Sequence, residues 1–337
     1  MKAITYKTAG PLDGAGALSD VEIAKPTPTG RDLLVEIQAI SVNPVDAKIR
    51  QNRPLVDGAS PILGWDAVGV VVEAGDDVSM FKTGDTVWYA GAINRAGTNA
   101  EFHLVDERIV GHAPTSVAPS AAAALPLTTL TAYEMLFDRL RVNDPVPSAV
   151  NAVVIIGGSG GVGSIAIQLL RALTDMIVIA TASRPETQAW VTELGAHHVI
   201  DHSKPLTPQI EALGIGQPGY VFSTNHTGDY VVQIAEFIAP QGRFGLIDDP
   251  AELDIKPFKP KSVSTHWEFM YTRSMFQTDD MTHQHYILNE VAELLDAGKI
   301  KSTATQTLGV INAANLTKAH TILESNKARG KLVLEGF

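Results

Sequence analysis

The sequence predicts an α/β protein, with a β-rich N-terminal half followed by a doubly wound parallel sheet. Short alternating apolar runs fill much of residues 1–125, strands and helices alternate from residue 151, and a glycine-rich loop leads the first of those strands into a helix. At 337 residues the chain exceeds one compact core of ordinary size, so more than one domain is expected.

The elements follow in order. "DLLVEIQAISV" (32–42), "AVGVVVEAG" (67–75), "DTVWYA" (85–90) and "AEFHLVD" (100–106) read as strands separated by Gly, Pro, Asn and Asp, as in a small barrel or sandwich. "MFKTGDTV" (80–87) carries a Thr-Gly-Asp turn. "PSAAAALPLTTLTAYEMLFDRL" (119–140) is Ala/Leu-rich with helical spacing, and Ser120 can cap its start. The strands "NAVVIIGG", "MIVIATAS", "HHVID", "YVFST" and "GRFGLID" then alternate with helices such as "VGSIAIQLLRAL" and "PETQAWVTELG", the pattern of βαβ units. Two helices, "DDMTHQHYILNEVAELLDAG" and "NAANLTKAHTILES", and two short strands, "STATQTL" and "KLVLEGF", finish the chain.

Composition narrows the function. The net charge is −11, from 26 basic and 37 acidic residues without a basic block, which argues against nucleic acid or anionic lipid as a partner. No apolar stretch reaches the roughly 18 residues that span a bilayer, and "MKAITYKTAG" lacks the apolar core of a secretory signal. Cys is absent, which removes disulfides, thiolate nucleophiles and Cys-bound zinc together. A cytoplasmic protein without membrane attachment is expected.

"VVIIGGSGGVGSIAIQLLRAL" (153–173) holds Gly158-x-Gly160-x-x-Gly163 between an apolar strand and an amphipathic helix, the context that a dinucleotide fingerprint requires. Glycines let the backbone approach a pyrophosphate, and the helix start offers N–H groups and a positive dipole end. Gly158, Ser159, Gly160, Gly161, Val162 and Gly163 are therefore candidate cofactor contacts. An NAD site usually has Asp or Glu after the next strand, to bind the ribose 2′-OH. Here that place reads Thr181, Ala182, Ser183, Arg184, with Glu186 already inside a helix started by Pro185. Ser183 and Arg184 suit a 2′-phosphate, so NADP(H) is expected; Arg184 as an exposed helix-start residue is the alternative.

Together with "SVNPVDAKIR" (41–50), "ILGWDAVGVVVEAG" (62–75), "FKTGDTV" (81–87), "AALPLTTLTAYEML" (123–136) and "GGSGGVGSIAIQLL" (157–170), the chain resembles the medium-chain dehydrogenase/reductase superfamily over nearly its whole length. Within it, the chain is similar to the zinc-free quinone-oxidoreductase branch and to proteins catalogued as zinc-type alcohol dehydrogenase-like. The resemblance implies a GroES-like catalytic domain over 1–125, a Rossmann NADP-binding domain over 126–265, and a C-terminal segment over 266–337 returning to the catalytic domain. It also implies a homodimer.

In zinc-dependent members the catalytic ligands are Cys, His and Cys. The resemblance lays Asn43, Trp65 and Leu127 on those positions, with Asp66 where the glutamate beside the histidine stands. That trio is not a zinc ligand set, and the four-cysteine structural lobe is missing from "GAINRAGTNAEFHLV". The ten histidines are scattered, so no metal is expected. Without a Lewis acid, an activated acceptor is favoured: a small hydrophobic conjugated carbonyl or a quinone, whose developing charge a few hydrogen bonds can stabilise.

The resemblance further places Asn43, Asp46 and Lys48 on the segment facing nicotinamide and substrate, with Trp65 as an apolar wall. Asn43 can donate to a carbonyl, Lys48 can stabilise an enolate or carry a proton, and Asp46 suits a structural hydrogen bond. The segment lacks the Tyr that many quinone reductases carry. Thr131, His202, Ser223, Thr224, Gly245, Leu246, Ile247 and Lys331 match cofactor contacts of the family. "STHWEFMYTRSMF" (264–276) is either domain core or a wall of the substrate pocket. The implied activity is NADPH-dependent reduction of quinones or activated enones. The alternatives are an enoyl-thioester or aldehyde/ketone reductase, and a non-catalytic nucleotide-sensing or RNA-binding member.

Overall fold

Residues 1–14, 17–53 and 61–337 are described by the computed structural model. They divide into two compact units, Met1–Leu130 with Tyr271–Phe337, and Thr131–Met270.

In the first unit, β1 (Lys2–Tyr6) and β2 (Leu18–Glu22) pair antiparallel. β3 (Asp32–Val42) is followed by α1 (Pro44–Asn52), β4 (Ala67–Ala74), β5 (Thr86–Tyr89), β6 (Phe102–Asp106) and β7 (Val110–His112). The extended Asn43 is the N-cap of α1, Pro44 enters at its first turn, and Asp46 Oδ2 accepts the Asn43 N–H, so the strand passes directly into helix. The expected helix over 119–140 is interrupted. α2 (Pro119–Ala123) stops before Pro126, which opens α3 (Pro126–Tyr133), and a π-helical turn continues to Arg139. Ser120 is not the cap of α2; Ala118 holds that position with Pro119 following it, and no side chain closes the end.

The second unit contains β8 (Val150–Ile156), α4 (Gly161–Leu173), β9 (Ile177–Thr181), α5 (Pro185–Glu193), β10 (His198–Ile200), α6 (Leu206–Ala212), β11 (Pro218–Ser223), α7 (Thr227–Phe237), β12 (Arg243–Leu246) and β13 (Ser264–Trp267). Its six strands are all parallel in the order β10-β9-β8-β11-β12-β13, which is the 3-2-1-4-5-6 order of a dinucleotide-binding Rossmann sheet. The strands read as continuous apolar runs because both faces are covered: Val154, Ile156, Ile179, Val221, Phe244 and Leu246 lie in its core.

The chain then rejoins the first unit through α8 (Thr272–Phe276), α9 (His283–Asp296), β14 (Ala304–Thr307), α10 (Ala313–Glu324) and β15 (Lys331–Glu335). β15 adds antiparallel to β3, completing the seven-stranded sheet ordered β14-β15-β3-β4-β5-β7, with β6 also paired to β3. The buried Arg50 guanidinium joins α1 to α10 through Glu324 and His320. Among the described residues no helix is long and apolar enough to cross a membrane.

Candidate active site

In the first unit the polar groups converge on one buried carboxylate. Asp66, fully buried at the start of β4, accepts at Oδ2 from Ser41 Oγ (2.6 Å), Asn43 Nδ2 (2.7 Å) and Lys331 Nζ (3.0 Å). Its Oδ1 accepts from the Leu127 N–H at 2.8 Å. Lys331 Nζ also donates to Asn43 Oδ1, so both ends of that amide are engaged. β3, α1, β4, α3 and β15 each supply one part, and the pairing of Leu332 with Val42 is what brings Lys331 to Asn43. Beside this cluster Asp46 is buried, and desolvation pushes its carboxyl up to about 7, against the Asn43 N–H and the Lys331 ammonium, which favour the anion.

Trp65 is 2% exposed, donates from Nε1 to Ala92 O (3.2 Å), and meets the edge of Tyr271 with ring centroids 6.3 Å apart. Gly64 makes the Gly-Trp-Asp step possible: its φ is +102°, and a Cβ there would lie 2.5 Å from Asn99 Oδ1.

A zinc ion bound as in the zinc-dependent relatives does not fit these residues. The three corresponding positions offer an amide already used at both ends, an indole that only donates, and an aliphatic side chain. The Lys331 ammonium moreover brings a positive charge to the Asp66 carboxylate. The site is built around an anion, where those relatives are built around a cation. Among the described residues no group of three or more His, Asp or Glu side chains could hold a metal.

In the second unit the glycine loop follows β8 and opens α4, whose start has no side-chain cap. Two of its glycines differ in what they answer to. A Cβ on Gly163 would lie 2.4 Å from Gly157 O and 2.7 Å from Gly158 Cα, so this glycine lets the helix pack onto the loop. A Cβ on Gly160, at φ −73°, would meet only Gly157 O at 3.5 Å, so nothing in the protein itself demands glycine there. Open space at that position, at an uncapped helix N-terminus, fits a pyrophosphate approaching the backbone.

The remaining residues of this unit follow the carboxyl ends of the parallel strands. Ser183 and Arg184 come after β9, His202 after β10, Thr224 after β11 and Ile247 after β12. Arg184 is half-buried, with Nε 3.2 Å from Glu186. His202 Nδ1 is buried with no hydrogen-bond partner among the described residues. Burial lowers the pKa of His202, and the Arg184 charge lowers it further against the opposing pull of Asp201.

Ser223 is buried and hydrogen-bonded to Thr227 at 2.7 Å; Thr224 Oγ1 donates to Ile156 O at 2.9 Å. Gly245 and Leu246 are buried strand residues, with Gly245 against Met135, and Thr131 is buried on α3. Lys331 belongs to the first unit and is joined to Asn43, whereas Lys48 is exposed on α1. Helical phase from Pro44 carries that signal, since Asp46, Ala47, Ile49 and Arg50 face inward and Lys48 lies between them. The central place of Asp66 was not evident from sequence, and Tyr271 was singled out there only as part of the aromatic stretch 264–276.

Comparison with known proteins agrees with this architecture. Residues 29–118 match the alcohol dehydrogenase GroES-like domain, and residues 194–334 match the zinc-binding dehydrogenase family. A zinc-type alcohol dehydrogenase-like protein of Staphylococcus epidermidis is 39% identical over 99% of both chains. A Rhizobium etli CFN 42 protein, assigned by name as a zinc-dependent alcohol dehydrogenase, has a crystal structure with TM-score 0.98 and 57% identity, covering 100% of this chain and 98% of that one. The quinone oxidoreductase of Pseudomonas syringae pv. Tomato DC3000 superposes with TM-score 0.82 at 25% identity, over 99% of each chain. The chain therefore belongs to the medium-chain dehydrogenase/reductase superfamily, as an oxidoreductase of its zinc-free, quinone-oxidoreductase-like branch.

Proposed function

We propose that this protein is an NADPH-dependent, zinc-independent reductase that transfers hydride to quinones or other activated α,β-unsaturated carbonyls. The observation that carries the proposal is the Asp66–Lys331 pair, tied to Asn43 and to the Leu127 N–H, two residues that align with metal ligands of zinc-dependent relatives. Without a Lewis acid, an unactivated alcohol or ketone lacks its main source of oxyanion stabilisation. A conjugated acceptor spreads the charge that arrives with the hydride. The bound nicotinamide supplies that hydride. The protein's own part is to orient the two reactants, exclude water, and present an apolar indole, Trp65, suited to a flat conjugated ring.

NADPH is favoured by the absence of a carboxylate directly after β9, where Ser183 and Arg184 stand. The acceptor would be small and hydrophobic, the protein a cytoplasmic homodimer, and neither nucleic acid nor membrane a partner. Steady-state NADPH oxidation with 1,4-naphthoquinone and with cyclohex-2-enone tests the assignment. Turnover with at least one is expected, and none with either refutes it. For the cofactor, Arg184→Ala should weaken NADPH binding by about 1–3 kcal/mol with little effect on NADH. Equal losses would remove Arg184 from the 2′-phosphate.

A further inference from the structure

We propose that Tyr271 is the acid that protonates the reduced acceptor, an inference that rests on the reductase assignment above. Reduction of an enone needs a proton as well as a hydride, and the N-terminal segment of the site carries no phenol. Lys48 is exposed on α1, and the Lys331 ammonium is held by Asp66 and Asn43. Tyr271 reaches the same place from elsewhere in the chain. It is 2% exposed, its ring stands at 74° to the Trp65 indole, and the charges of Asp46 and Asp66 act on it.

Its backbone is fixed. Tyr271 O accepts from Met275 N at 2.8 Å and from Ser274 Oγ at 3.0 Å, and Arg273 joins α8 to Asp280. Burial, with those two carboxylates, holds the phenol well above its usual pKa, so the hydroxyl keeps its proton until a strong base forms beside it.

The chemistry balances as follows. The enone takes up hydride at its β-carbon, for which reduced nicotinamide would be the two-electron donor, and the C=C π pair shifts to leave an enolate. The Tyr271 O–H bond breaks, its proton bonds to the α-carbon, and the saturated ketone forms. Solvent then reprotonates the phenolate. A quinone that accepts hydride becomes a hydroquinone monoanion, a much weaker base than an enolate, and can leave without an enzymic acid.

Tyr271→Phe, assayed in the full-length protein with NADPH, separates the two acceptors. Enone turnover should fall by about 100-fold or more, while naphthoquinone turnover stays nearly unchanged and the melting temperature is retained. Equal losses on both acceptors, no loss on the enone, or a wild-type protein that reduces only the quinone would overturn the role of Tyr271. A wild-type protein that reduces neither would refute the reductase assignment itself.

Discussion

Replacing Lys331 by Met keeps a long apolar stem on β15 and removes the ammonium. The Asp66 carboxylate would then stay fully buried with three neutral donors, Ser41 Oγ, Asn43 Nδ2 and the Leu127 N–H, and no counter-charge. At 3.0 Å the lost attraction is roughly 5–6 kcal/mol for an effective dielectric constant near 20. Relief of desolving the ammonium offsets part of it, so about 3–5 kcal/mol is expected, the range for removing one partner of a buried pair. At about 2–4 °C per kcal/mol this lowers the melting temperature by roughly 6–20 °C. Thermal and urea unfolding of Lys331→Met, Asp66→Asn and the double variant read the effect. The double variant should be less destabilised than the sum of the singles by more than about 1 kcal/mol. A Lys331→Met protein within about 1 kcal/mol of wild type, with additive singles, would refute the claim that this pair organises the site.

The two glycines of the nucleotide loop should separate binding from folding. Gly160→Ala is expected to keep the wild-type melting temperature while weakening NADPH binding, measured by titration of cofactor fluorescence. Gly163→Ala should destabilise by about 1–3 kcal/mol or more, because its Cβ would lie 2.4 Å from Gly157 O. Asp46 predicts a pH dependence. With its folded pKa near 7 and its unfolded value at the usual 3.8, the native state binds more protons between the two, so this group lowers stability as pH rises from about 4 to about 7. Asp46→Asn removes that slope, so the variant should gain on wild type over this range in urea unfolding. A constant difference between the two proteins contradicts the raised carboxyl.

Much of the fold was legible because its signals are local. The glycine loop sits between an apolar strand and an amphipathic helix, and the strand–helix alternation after residue 151 implies a parallel sheet without any tertiary information. The split of the 119–140 helix was also written locally, in Pro126, but its Ala/Leu periodicity on both sides masked it. The site was harder, because its parts are joined by strand pairing across long stretches of chain. Lys331 meets Asn43 only because β15 adds to β3, and Tyr271 meets Trp65 only after the chain has returned from the second unit. No periodicity records such meetings. Set beside its zinc-dependent relatives, the sequence has Asn43, Trp65 and Leu127 at the ligand positions. It could not show that a lysine nearly three hundred residues away from Asn43 stands beside the adjoining carboxylate.

The central claim is that a buried Asp66–Lys331 pair stands in place of a metal in a working reductase. It is tested most directly by NADPH oxidation with 1,4-naphthoquinone, using protein dialysed against a strong chelator and assayed with and without added zinc. Turnover that is undiminished by the chelator and unimproved by zinc is predicted. Activity lost on chelation and restored by zinc would contradict it.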